Sequence, residues 1–331
     1  MADIPKFRSV KEHGMREILL SASWVPETRT VLAGASDGGL YRFDLAAEKL
    51  EPVKLEGHTS YVMGVAALGA TRVVSGGYDR RLLWWDLETG SVAQDIPAHE
   101  KWIRGVVASS DGKLVASVAD DMVCRIWNAD GKPRHELRGH EPITPHHFPS
   151  MLYCCAFSPT GEQIATADRV GNIKVWNTVD GKLLAEMAAP EMYTWDPRQR
   201  IHAIGGIRSL AFSADGRLLA AGGMGQVGNI DHLGGVSLVQ VFDWQKQEST
   251  LEYKGEPYKG LVEHLQFDPQ GKWLLAAGGD NSGFYQLIDL ATGKTAQHDK
   301  APMHVHAVAV DAQHATFCGV GHGKLTVWEW A

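Results

Sequence analysis

Residues 74–86 read V-S-G-G-Y-D-R-R-L-L-W-W-D, from Val74 to Asp86. Two short apolar runs flank a turn that carries Gly, Tyr and Asp. Runs of this length bounded by Gly and Asp read as antiparallel strands joined by a tight turn. The second run ends in a Trp–Asp pair, and that ending recurs along the chain. The pairs are Phe43-Asp44, Trp85-Asp86, Trp127-Asn128, Trp176-Asn177, Phe242-Asp243, Ile288-Asp289 and Trp328-Glu329. Successive pairs are separated by 42, 42, 49, 66, 46 and 40 residues. Most steps lie near the ~40–45-residue period of a four-stranded propeller blade.

Working outward, Gly57-His58 opens the unit that contains residues 74–86. The next unit repeats the plan with His99, then L-V-A-S-V-A-D-D, then C-R-I-W-N. A buried Asp is costly unless it is hydrogen-bonded. A His can donate to it on one side and meet a Ser on the other, while a Trp indole N–H needs an acceptor. Such a set ties the loop entering a blade to the blade's own strands, so these histidines read as fold-holding rather than catalytic.

These residues resemble the WD-repeat β-propeller family, over essentially the whole chain. The D-R-V-G-N-I-K-V-W-N and G-N-I-D-H-L-G-G stretches are similar to bacterial members. The resemblance implies one hydrogen-bonded set per blade: His58, Ser75, Asp79 and Trp85, then His99, Ser117, Asp121 and Trp127. Other units depart from the pattern. The first keeps Asp37 but has Ala33 at the Ser position. The fourth has His140 and Thr166, with Val170 at the Asp position. The fifth and sixth have Phe242 and Ile288 for Trp, and the seventh has Cys318 and His322 at the Ser and Asp positions.

The expected fold is all-β: a seven-bladed β-propeller of four-stranded antiparallel blades in one domain, 1–331. The blades fall at about 15–56, 57–98, 99–139, 140–187, 188–255, 256–300 and 301–331. The last unit ends with its third strand, V-W-E-W-A, so a strand near residues 5–12 is expected to complete it and close the ring. Closure removes an exposed sheet edge.

The 331 residues suit one toroid of small sheets, and the 44% hydrophobic fraction suffices for its core. A net charge of −7 disfavours nucleic acid and anionic membrane as partners. The N-terminus lacks the apolar run of a signal peptide, and no 18-residue apolar stretch exists to span a membrane. Cys124, Cys154, Cys155 and Cys318 lie in strands without C-x-x-C spacing, which reads as reduced thiols in a cytoplasmic protein.

Several motifs fail on inspection. Gly223-Met-Gly225-Gln-Val-Gly228 matches G-x-G-x-x-G, but a strand follows where dinucleotide binding needs a helix. In His135-Glu-Leu-Arg-Gly-His140 the second His falls one residue late and Gly interrupts the helix a zinc site needs. His146-His147 sits in a Pro-flanked loop, and His304 and His306 share one strand face, a weak metal hint.

Function is therefore expected on loops. Residues 141–149, 189–204 and 223–235 are insertions, and long loops on a rigid scaffold commonly carry function. At the starts of the inner strands, alternate side chains point toward one mouth of the channel. They include Tyr61, Met63, Trp102, Arg104, Tyr153 and Arg208, with Tyr78 and Arg169 added from the turns. Tyr, Trp, Met and Arg are enriched in interface cores. The expectation is a non-enzymatic, monomeric scaffold without cofactor, binding a protein or an acidic or extended peptide there. The alternative is a ligand- or metal-binding propeller that uses the His-bearing loops of blades four and five.

Overall fold

A computed structural model describes residues 5–199, 201–311 and 315–330. The ends of the expected 1–331 domain, residues 1–4 and 331, lie outside the described residues. The first strands are β1 (Phe7–Trp24), β2 (Thr30–Ala35), β3 (Gly39–Asp44) and β4 (Val53–Glu56). A four-stranded sheet follows from β5 (Val62–Ala67), β6 (Arg72–Gly77), β7 (Arg81–Asp86) and β8 (Ser91–Pro97). The next contains β9 (Ile103–Ala108), β10 (Leu114–Ala119), β11 (Cys124–Asn128) and β12 (Pro133–Leu137). Then come β13 (Leu152–Phe157), β14 (Gln163–Asp168), β15 (Asn172–Asn177) and β16 (Leu183–Ala188).

A 3-10 turn, Pro190–Met192, leads into a two-stranded ribbon of β17 (Tyr193–Trp195) and β18 (Ala203–Gly205). The fourth four-stranded sheet holds β19 (Ser209–Phe212), β20 (Leu218–Met224), β21 (Val236–Asp243) and β22 (Glu248–Lys259). The fifth holds β23 (Leu261–Phe267), β24 (Trp273–Gly279), β25 (Gly283–Asp289) and β26 (Lys294–Ala301). The last strands are β27 (Val305–Val310) and β28 (Thr316–Trp330). No helix among the described residues is long and apolar enough to cross a membrane.

The strands follow the meander that the turns predict, and the architecture is an all-β propeller of antiparallel sheets. Each Trp–Asp-like pair from Phe43-Asp44 to Ile288-Asp289 closes the third strand of its sheet. Second strands are the most buried: β6 is buried from Val73 to Gly77 and β24 throughout. Fourth strands are wet, and β8 has only exposed and half-buried residues. The core therefore lies between neighbouring sheets. In one seam Val74, Leu82 and Trp84 pack on Ile103, Val106 and Trp127. Gly64 sets its spacing, because a Cβ there would strike the backbone nitrogen of Val106.

The expected blade count is corrected. The strands make six main sheets, five four-stranded and one six-stranded, not seven separate four-stranded ones. The cause is the length of β1. Its residues from Phe7 to Ile18 pair with β28, and those from Leu19 to Trp24 pair with β2. One strand thus joins the first and last units in the order β27-β28-β1-β2-β3-β4. β28 itself turns at Gly323 (φ +67°), and the Trp330 N–H reaches the Ala315 carbonyl at 3.2 Å. A boundary also moves, since β22 runs to Lys259, past the expected start of a unit at 256.

Contacts divide the chain into two compact units. One contains Glu136–His304 with Met122–Cys124; the other contains Pro5–Asp121, Arg125–His135 and the chain from Val305. Each is described by itself below.

Candidate functional site: aromatic ladders on a hydrogen-bonded frame

The frame comes first. His58 Nδ1 lies 2.8 Å from Asp79 Oδ2, and its Nε2 lies 2.7 Å from Ser75 Oγ. A carboxylate only accepts, so the Nδ1 proton faces it and Nε2 accepts from the Ser hydroxyl. The Trp85 indole N–H then donates to Ser75 Oγ at 2.7 Å. His99 repeats this with Asp121 (3.1 Å) and Ser117 (2.8 Å), and Trp127 donates to Ser117 at 3.1 Å. Both sets join the residues that the sequence grouped.

The fourth unit corrects the expectation. It does not lack the acid. Asp168, two residues before Val170, accepts from His140 Nδ1 at 2.9 Å, while His140 Nε2 meets Thr166 Oγ1 at 2.8 Å. The Trp176 indole donates to Thr166 at 2.9 Å, which completes the chain of bonds. The carboxylate has moved from the turn to the end of β14. In the last unit the Trp328 indole instead donates to Thr326 Oγ1 at 3.0 Å.

Burial alone would raise the pKa of Asp79 and Asp121. The hydrogen bonds and charges of His58, and of His99 with Arg125, outweigh it and hold both carboxyls below the ordinary value. Stability from a depressed carboxylate is complete above the unfolded value near 4 and is lost as pH falls through the folded one. Thermal melting from pH 6 to pH 2 should therefore fall steeply in the wild type. It should fall less steeply in Asp79→Asn/Asp121→Asn, which starts lower. Parallel slopes would show that other groups govern acid unfolding.

On this frame stand the side chains expected to bind. In the unit containing Pro5–Asp121, Tyr61 stacks on Tyr78 with centroids 5.5 Å apart, and Tyr78 stacks on Trp102 at 4.5 Å, nearly parallel at 9°. Tyr61 and Trp102 are 45% and 50% exposed, so the ladder ends in water on both sides. Met63 is half-buried on β5. The Arg104 guanidinium sits 4.9 Å from the Tyr78 ring centroid and 5.5 Å from that of Trp102. It also bonds the Tyr78 hydroxyl.

Arg104 is not poised to grip a partner's carboxylate. Its Nε and Nη2 each donate to Asp120 at 2.7 Å, a bidentate pair with both side chains only 12% exposed. Asp120 precedes the network acid Asp121, so the tetrad that fixes the turn also fixes Arg104 and the rings on it. Beside the ladder opens a pocket of about 390 Å3 lined by Arg80, Glu100, Lys101, Trp102 and Asp120.

The other unit holds Tyr153, Arg169 and Arg208. The Arg208 guanidinium lies 3.8 Å above the Tyr153 ring and donates to the Gly205 carbonyl at 3.2 Å. Arg169 donates to Pro149 O and Ala203 O at 3.4 and 3.3 Å. These arginines bind the two insertions to the frame. Residues 189–204 are not an open loop but carry the β17–β18 ribbon.

The ribbon gathers rings that the sequence reading did not group. His146 lies flat on Trp195, 4.1 Å away at 4°, and Phe148 touches Trp195 and His202, both at 5.2 Å. Among the described residues no three ligating side chains converge in these loops. The alternation of aromatics with His across 146–148 and 193–202 was the available signal.

Residues 51–86, 90–128, 131–177 and 196–227 match the family model described as "WD domain, G-beta repeat". Apoptotic protease-activating factor 1 of Rattus norvegicus is 27% identical over 211 residues, 63% of this chain and 16% of that protein. Its Homo sapiens counterpart is 27% identical over 218 residues, covering 66% and 16%. Nuclear distribution protein PAC1-2 of Uncinocarpus reesii is 29% identical over 170 residues, covering 44% and 32%. The chain spans a third or less of the length of these relatives.

Proposed function

We propose that this propeller, similar to the WD-repeat family over residues 51–86, 90–128, 131–177 and 196–227, is a non-enzymatic scaffold that binds a protein or peptide partner through the ladder Tyr61–Tyr78–Trp102. The observation that carries this is the ladder's construction. Two large rings are half in water, yet a largely shielded ion pair and a stacked guanidinium hold them in place. Rigid, exposed aromatics lose little entropy on binding and commonly supply an interface's largest single contributions. The curated relatives are themselves proteins of apoptosis and nuclear distribution by name, which fits an interaction module better than a catalyst. The reading includes a monomer without nucleic-acid partner. A cytoplasmic location accords with four buried cysteines that form no disulfide.

The test is affinity capture from the native host with wild type and Trp102→Ala side by side. Trp102→Ala should weaken the captured partner by about 2 kcal/mol, roughly thirtyfold. The Tm should stay within a few degrees, because the ring is half exposed. A partner retained equally by a folded Trp102→Ala would move the interface elsewhere, first to the Trp195 cluster.

A further inference from the structure

We propose that the ladder's partner presents an acidic peptide segment, and that its carboxylate is received by Arg80 and Lys101 rather than by the arginine among the rings. This deepens the docking reading above and rests on it. The pocket beside Trp102 has three cationic groups within reach of its walls, and they differ in availability. Arg104 is committed to Asp120 by two 2.7 Å bonds. Arg80 and Lys101 line the pocket, are exposed, and make no ion pair among the described residues. Glu100 lines the same pocket and Asp120 is neutralised by Arg104, so the walls carry one excess positive charge. An incoming carboxylate therefore finds two available donors, and its neighbouring apolar side chain finds the face of Trp102.

The backbone conformation of Arg80 also bears on the test. It has φ +70°, a left-handed conformation that L side chains rarely adopt. The matching turn position holds glycine in the first and fourth units, as Gly38 (φ +81°) and Gly171 (φ +92°), and Met122 (φ +62°) in the third. Glycine is the residue this backbone favours. Arg80 thus stands where its own conformation costs stability, and its side chain lines the pocket. Strain of this kind persists where surrounding structure holds it, commonly at ligand-binding positions. Its carbonyl is held by the N–H groups of Ala98 and His99, so the loop entering the next unit fixes the turn.

The inference predicts a separation of stability from binding. Arg80→Gly should melt at or above the wild-type temperature and yet bind worse. The experiment is selection of random decapeptides displayed on phage against the immobilised full chain, followed by affinities of the selected peptides. Asp or Glu beside an aromatic or aliphatic residue should be enriched. Each of Arg80→Gly and Lys101→Ala should weaken such peptides about tenfold, as expected for a lost charge-assisted contact. Replacing the peptide's acid by its amide should do the same, and that replacement should have no further effect on the Arg80→Gly/Lys101→Ala protein. Enrichment of basic or neutral peptides that still need Trp102 would overturn this inference and leave the docking reading standing. Selected peptides indifferent to Trp102→Ala, or no enrichment at all, would overturn both.

Discussion

Removing residues 1–14 is expected to collapse the fold's stability rather than fray one end. The deletion takes away the first eight of the 18 residues of β1, Phe7 to Gly14, most of the length that pairs with β28. Phe7 is 4% exposed and meets Phe317, Trp328 and Trp330 edge-on at 5.7, 5.6 and 5.9 Å. Three large rings would lose their cover, and the backbone of β28 would become an open edge. The single change Phe7→Ala gives the scale: about 3–5 kcal/mol for a buried Phe, roughly 4–7 °C in a chain of this size. The full deletion should exceed it and yield mostly insoluble chain. The control is Arg8→Ala, whose 3.7 Å pair with Glu329 is mostly in water and should contribute almost nothing. A truncated protein that melts like the wild type would show that this pairing does not support the sheet.

The second large effect is expected at Asp168. This buried carboxylate accepts from His140, from the backbone N–H groups of Val170 and Asn172, and from the Asn172 side chain, all at 2.9–3.0 Å. Asp168→Ala leaves these donors without an acceptor in a site closed to water, which costs about 3–4 kcal/mol. Asp168→Asn keeps an acceptor and should lose less. Val170→Ala, two residues on, should stay below about 1 kcal/mol, since that side chain is outside the network. Chemical denaturation of the three variants decides the matter. An Asp168→Ala midpoint as mild as that of Val170→Ala would remove Asp168 from the network.

The contrast between these residues explains what was legible in the sequence. His58, Ser75, Asp79 and Trp85 were legible because a His–Ser–Asp–Trp set keeps fixed spacing when the acid sits in the turn. Asp168 was hidden because its carboxylate reaches the same His from the strand end, two positions after Thr166 rather than four. The strand endings could be read one by one. Their grouping into six sheets could not, because β1 runs through Gly14 without a turn and serves two partners.

The site was legible in its rings and illegible in its charges. Tyr61 and Trp102 could be placed at inner-strand starts by alternation alone. The Arg104–Asp120 pair spans 16 positions, from β9 to the turn after β10; the register of these strands shifts between Val118 and Ala119, and no periodicity fixes such a shift. The Trp195 cluster depends on three-residue strands, too short to show alternation.

The pairing of β1 with β28 also sets a timetable. Glu12 and Lys324, joined at 3.0 Å, lie 312 positions apart. At the usual ~5–20 residues per second, about 15–60 s of synthesis separates the two strands. Throughout that interval the first half of β1 is a lone strand with a large apolar ring at its start. Its guardians are its own charges, Arg8, Lys11 and Glu12, the residue types that blunt exposed strand edges. A newborn chain is thus most open to misassociation at the segment it needs last, and a chaperone that holds residues 7–14 until β28 emerges would act where the delay is longest.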